Sequence, residues 1–187
     1  MERLLKLAER IKDPDLRKKT VELLKNPEIS NPEISYTRTD LNELPAWIGG
    51  HHPYSGGLVD HTVSVVELAI KISEHFEKVY GVKVNLDHVI SGALLHDVMK
   101  VFLLTKLEGA WTFTGCTLDH AVFAAAELYA RGFPEEVIHI VASHGGDLGT
   151  SGANPRTVEA LIVFHADVMD SSIDSFLRGG VVLVREE

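Results

Sequence analysis

Apolar residues recur along this chain at helical spacing far more often than at strand spacing, which predicts a mainly helical, all-α bundle. Residues 2–12 carry Leu4, Leu7, Ala8 and Ile11 on one face. Asp13-Pro14 supplies a cap and a first-turn proline for a second helix running to about Lys25. A tandem repeat follows, Asn26-Pro27-Glu28-Ile29-Ser30 and Asn31-Pro32-Glu33-Ile34-Ser35. Two copies make a connector and not a solenoid. A short helix is expected from Asp40, with Glu43 as its capping-box partner, to the pair Gly49-Gly50.

The longest helix is expected from about Leu58 to Tyr80, where Val65, Leu68, Ile72, Phe76 and Val79 keep helical spacing and Gly81 closes the end. Asp87 to Met99 is the next, with Ile90, Ala93 and Leu94 inward. Between Phe102 and Phe113 the period changes. Glu108-Gly109, set between two short β-prone runs, predicts a small hairpin near 102–114. Helices follow at about Leu118–Arg131, Pro134–Ser143 and Pro155–Met169. Four glycines make 145–152 a loop, and the apolar tail Val181–Val184 fits a strand or a docking segment. The whole reads as one domain over 1–187, with 1–50 a helical arm packing on a core of 51–175.

Composition narrows the chemistry. Against 18 Lys and Arg stand 27 Asp and Glu, a formal charge of −9 with histidines neutral, and the sequence pI is near 5.5. Such a surface repels a phosphate backbone, so extended nucleic acid is not an expected partner. The single cysteine, Cys116, closes no intrachain disulfide, which leaves nitrogen and oxygen as metal donors. No apolar run approaches the roughly 18 residues of a membrane span. A cytoplasmic protein with no membrane partner is expected.

Ten histidines in 187 residues is the outstanding feature. His61 shares its stripe with Val65, Leu68 and Ile72. His96-Asp97 ends one helix, His120 opens another, His144 closes the next, and Asp167 lies below Ala160, Val163 and Phe164. The separations from His61 to His96, Asp97 to His120, His120 to His144 and His144 to Asp167 are 35, 23, 24 and 23 residues. Each is about one helix and a loop, so each returns the chain to the same level of a bundle, where facing helices build metal sites. Burying four histidines and two carboxylates without partners costs several kcal/mol each. One or two divalent transition-metal ions offset that cost. Imidazole with carboxylate suits iron or manganese, with zinc, nickel or cobalt as alternatives, over calcium. If Asp97 bridges two ions, water between them ionises near neutral pH and attacks a phosphoryl group, a phosphohydrolase site.

The ordered set His61, His96-Asp97, His120, His144, Asp167 resembles the HD-domain superfamily of metal-dependent phosphohydrolases. The wording of residues 51–62, His51-His52-Pro53-Tyr54-Ser55-Gly56-Gly57-Leu58-Val59-Asp60-His61-Thr62, is similar to the HD domain of certain 3′-to-5′ exoribonucleases, as are Ser143-His144-Gly145-Gly146 and the stretches 155–160 and 165–167. The resemblance implies that His61, His96, Asp97 and Asp167 hold one cation and Asp97, His120 and His144 a second. It implies catalytic roles for Asp97 and Lys100, with Lys100 on substrate phosphate. Met99 stands where the family usually has glycine, and Gly145 where the exoribonucleases commonly have a second histidine. Those exoribonucleases carry an added OB-fold module for RNA, for which 187 residues leave no room. A small phosphorylated substrate of nucleotide type is therefore expected. His51 and His52 are candidate substrate contacts at the site mouth.

The other residues take plainer roles: His75, His88 and His139 on the surface, His165 as packing or support, Asp170 orienting a ligand, Trp111 and Phe113 as packing. Three rivals stand beside the dinuclear reading. They are a mononuclear site using His61, His96, Asp97 and Asp167; a metal-free module binding nucleotides or partners as a sensor; and, from the same resemblance, a di-iron oxygenase.

Overall fold

A computed structural model of the chain describes residues 1–145 and 153–179. The expected loop, beyond Gly145, and the tail at 181–184 lie outside the described residues. Seven α-helices and one two-stranded antiparallel sheet are present among the described residues. The helices are α1 (Glu2–Ala8), α2 (Pro14–Lys25), α3 (Gly57–Tyr80), α4 (Leu86–Leu95), α5 (His120–Ala130), α6 (Glu135–Ser143) and α7 (Val158–Leu177). The long α3 packs against α7 and α4, α4 against α6, α5 against α6, and α1 and α2 against this group. One apolar cluster joins them, from Leu4 and Ile11 through Val65, Leu94 and Ile140 to Ala166. No helix among the described residues is long and apolar enough to cross a membrane.

Local chemistry sets most boundaries. The Asp13 carboxylate caps α2 through the Asp15 and Leu16 amides, and Asp119 caps α5 through Ala121 and Val122. Gly81 ends α3 in the left-handed region. Strand β1 (Leu104–Leu107) pairs with β2 (Ala110–Phe113) in the register Lys106 with Trp111. Glu108 and Gly109 both have positive φ, 51° and 84°, the backbone a tight hairpin of primed type requires.

Three expectations are corrected. Residues 40–50 form turns and no helix: the Asp40 carboxylate accepts from the Asn42 amide at 2.9 Å, Pro45 disfavours helical geometry at Leu44, and Ala46 N–H turns back to the His52 carbonyl at 3.0 Å. The fourth helix stops at Leu95, and a 3-10 turn over Val98–Phe102 replaces its expected end. Here the Val101 carbonyl is taken by the Thr39 amide at 2.8 Å instead of continuing a helix. The last helix starts at Val158, capped by Thr157, and passes Met169 to Leu177, because nothing between them breaks it before Gly179 at φ 87°.

One close approach aligns two ligand-bearing helices. A Cβ on Gly92 of α4 would stand 2.4 Å from Ile140 Cγ2 of α6. The Gly92→Ala variant is expected to lower Tm by several degrees, because overpacking costs about 1–3 kcal/mol and exceeds the gain in helix propensity. A calorimetric Tm at or above that of the parent would refute this.

Candidate metal centre

His61 stands one turn into α3, His96 is the residue closing α4, His120 is the first residue of α5, His144 closes α6, and Asp167 projects from α7. Asp97 follows His96 with φ −110° and ψ 4°, a turn conformation that aims it back between the helix ends. All six meet. His61 and His96 are fully buried, and His120, His144 and Asp97 nearly so.

The carboxylate of Asp97 is shared between two groups. Its Oδ2 lies 3.7 Å from His61 Nε2 and 3.4 Å from His96 Nε2, while Asp167 Oδ1 is 3.2 Å from His61 Nε2. Its Oδ1 lies 3.2 Å from His120 Nε2 and 3.7 Å from His144 Nε2, with no hydrogen-bond partner although buried. Within each group two imidazoles face each other nitrogen to nitrogen, His61 and His96 at 3.2 Å, His120 and His144 at 3.1 Å.

Tautomers explain why these contacts need a cation. His96 Nδ1 donates to the Ala93 carbonyl and His144 Nδ1 to the Val141 carbonyl, each at 2.7 Å. Carbonyls only accept, so both Nδ1 atoms carry the proton and both Nε2 atoms present lone pairs. His61 Nδ1 donates to Asp170 Oδ2 at 2.7 Å, and His120 Nδ1 faces Asp119 Oδ2 at 3.5 Å. Four Nε2 atoms and two carboxylates thus converge beneath the surface, a donor set fit for divalent metal. The ligand atoms of His61, His96 and Asp167 lie within 4.8 Å of one another, as do those of Asp97, His120 and His144.

Protonation follows the same geometry. Burial pulls the His61 ring down, but hydrogen bonds to Asp167 and Asp170 outweigh it and push it up to about 9. Burial together with the neighbouring His96 and His120 rings pushes His144 down to about 4. For Asp97, burial is outweighed by the Lys100 ammonium and the His96 ring, which hold its carboxyl well below the usual range.

Lys100 is buried, its ammonium donating to Asp97 Oδ2 at 2.6 Å and to the Ala46 carbonyl at 2.9 Å. An ammonium has three donors, so one is left for the cavity Lys100 lines. That cavity, of about 260 Å³, opens over Asp97, His120, His144 and Asp167 and is walled by Trp47 and His51. His51 faces the His61 ring at 4.6 Å between centroids, and burial pushes it down to about 4, so it is neutral at pH 7. His52 is not among the lining residues. It sits at φ 43° with its amide on Asp174 at 2.6 Å and its Nδ1 3.7 Å from Asp170.

Asp170 orients His61, as its place one turn below Asp167 predicts. Asp119 and Trp47 were not legible as part of the site. A cap before a predicted helix that begins with histidine signals the first; nothing local signals the second. Of the remaining histidines, His75 is exposed, and His88 and His139 are half-buried, His139 accepting the Arg156 amide at 2.9 Å. His165 is exposed, where packing or support was expected, because it leaves the face carried by Ala166. Phe113 is likewise 56% exposed, its ring meeting only the edge of Trp47.

The Asp170→Asn variant is expected to weaken metal binding about 10- to 100-fold, the usual effect of removing a carboxylate behind a ligating histidine. Competition with a chelator measures it, and an unchanged Kd would show that Asp170 does not act through His61.

A helical bundle whose buried histidines and aspartates could hold a metal under a small cavity fits a metal-dependent phosphohydrolase. The family profile of the HD domain matches residues 58–172, and the chain belongs to that family. It is a hydrolase of phosphoester bonds. The dihydroneopterin 2′,3′-cyclic phosphate phosphodiesterase of Methanocaldococcus jannaschii is 51% identical over 176 residues, 93% of this chain and 70% of that protein. The 3′-5′ exoribonuclease YhaM of Listeria welshimeri is 30% identical over 145 residues, and that of Listeria monocytogenes 31% over 147. Each of those matches covers 72% of this chain but only 45% of the exoribonuclease. No solved structure matches the chain.

Proposed function

We propose that the chain hydrolyses a small cyclic phosphodiester of nucleotide type, using two divalent cations, iron or manganese, held on either side of Asp97. The observation that carries this reading is the division of the Asp97 carboxylate, one oxygen toward His61, His96 and Asp167 and the other toward His120 and His144. The similarity to the Methanocaldococcus jannaschii dihydroneopterin 2′,3′-cyclic phosphate phosphodiesterase supports this substrate class. A cavity of about 260 Å³ is of the size that a small molecule occupies.

When bound, the cations supply Lewis acidity toward a phosphoryl oxygen and acidify water toward neutral pH. His61, His96, Asp97 and Asp167 would hold one, and Asp97, His120 and His144 the other. Lys100 offers its remaining N–H to a phosphoryl oxygen, where negative charge grows as water adds to phosphorus. Neutral His51 reaches the substrate as a hydrogen-bonding partner, and His52 supports it from the Asp170–Asp174 side. Water adds at phosphorus, one ring P–O bond breaks, and the departing alkoxide takes a proton to give a phosphomonoester.

Elemental analysis of freshly purified protein, with a chromatographic assay over dihydroneopterin and nucleoside 2′,3′-cyclic phosphates, nucleoside monophosphates and short RNA, tests the proposal. The expected result is near two metals per chain and cleavage of cyclic phosphates to monoesters. Activity confined to monophosphates or to RNA overturns it.

A further inference from the structure

One wall of the cavity takes no part in phosphoryl chemistry. Trp47 lines it beside His51 and Lys100 and is only half-buried. It lies in the turned segment 40–50, whose path is fixed on both sides of Ala46: the amide bonds the His52 carbonyl, and the Ala46 carbonyl accepts from Lys100. The indole itself is seated by neighbours. The Lys100 ammonium stands 5.2 Å from its centroid, Phe113 meets it edge-on at 5.9 Å, and the His120 ring lies at 6.2 Å.

Tryptophan ordinarily packs into a core, and Trp111 does so, part-buried against the apolar cluster with the Lys106 ammonium 4.7 Å from its ring. Trp47 instead lines the cavity. Beyond Asp167 the lining from α7 is Val168, Ser171 and Ser172, which carries no charge, the Ser171 hydroxyl donating to Asp167 Oδ1 at 3.3 Å. A region walled by an indole, a valine and hydroxyls suits a flat, neutral heteroaromatic ring and does not suit a second phosphate. Lys100 ties this region to the reacting centre, since its ammonium faces both the indole and Asp97. A phosphoryl group held at Lys100 therefore leaves the base of a nucleotide within reach of Trp47.

We infer that Trp47, with Phe113 at its edge, is the stacking surface for the planar base of the substrate and selects base-bearing cyclic phosphates over base-less ones. This inference rests on the cyclic phosphodiesterase reading above. The test is the ratio of kcat/KM for guanosine 2′,3′-cyclic phosphate to that for glycerol 1,2-cyclic phosphate. Trp47→Leu is expected to lower the ratio about tenfold or more, through KM for the base-bearing substrate, and Trp47→Phe to restore most of it. A ratio unchanged in Trp47→Leu overturns the inference. An equal loss on both substrates also overturns it, because that is the mark of scaffolding through Lys100.

A second measurement needs no turnover. The chain has two tryptophans, so in a Trp111→Phe variant Trp47 is the sole indole. Guanosine 3′-monophosphate is expected to quench its fluorescence saturably, while glycerol phosphate leaves it unchanged. If the parent cleaves neither cyclic phosphate, the phosphodiesterase reading fails. Quenching then decides the role of Trp47 by itself, and its absence with the nucleotide overturns that role.

Discussion

Replacing Asp97 with asparagine is expected to lower turnover by about a thousandfold or more and to strip the protein of metal. The carboxylate faces both ligand sets, one oxygen toward each. An amide of the same shape has no charge to hold a cation, and its NH2 would donate to the Nε2 lone pairs of His120 and His144 or of His61 and His96, filling the space a metal would take. Loss of several kcal/mol of charge stabilisation corresponds to about three powers of ten in rate. The same change leaves the buried Lys100 ammonium without its partner at 2.6 Å, a defect worth about 3–5 kcal/mol of stability. The double variant Asp97→Asn, Lys100→Met removes that unpaired charge and is expected to regain thermal stability without regaining metal. Asp97→Asn protein that keeps its full metal content and turnover within tenfold of the parent would refute the bridging role.

Removing the second ligand set separates the dinuclear from the mononuclear reading. His120→Ala and His144→Ala each leave His61, His96, Asp97 and Asp167 intact, so metal content is expected to fall from about two to about one per chain and turnover about a hundredfold. His144 suits this substitution because burial and the neighbouring His96 and His120 rings disfavour its charged form. If the parent itself carries one metal and His120→Ala leaves that content unchanged, the site is mononuclear. His120 and His144 then act on the substrate.

The sequence carried the bundle and its punctuation. Asp13, Gly81 and the Glu108-Gly109 turn act within a few residues of themselves, and each worked as local chemistry requires. The segment 40–50 and the end of α4 escaped that reading. Their paths depend on distant carbonyls and amides, Ala46 with His52 and Thr39 with Val101, which no local pattern contains. The extent of α7 was legible in principle, since its helical period continues beyond Met169 to the glycine at 179.

The identities of six histidine and aspartate residues pointed to one buried polar cluster in a helical bundle, but the expected interval of one helix and a loop does not hold: Asp97 to His120 spans the 3-10 turn and the hairpin, and His120 to His144 spans both α5 and α6. Only the tertiary structure decided how the cluster divides. The turn at Asp97 aims one oxygen at each pair of histidines, the Ala93 and Val141 carbonyls fix two tautomers, and Asp119 and Asp170 face the other two rings. Only it, too, brought Trp47 to the cavity wall. Spacing along a chain counts residues, whereas coordination and stacking depend on angles between side chains that far-separated segments set when they pack.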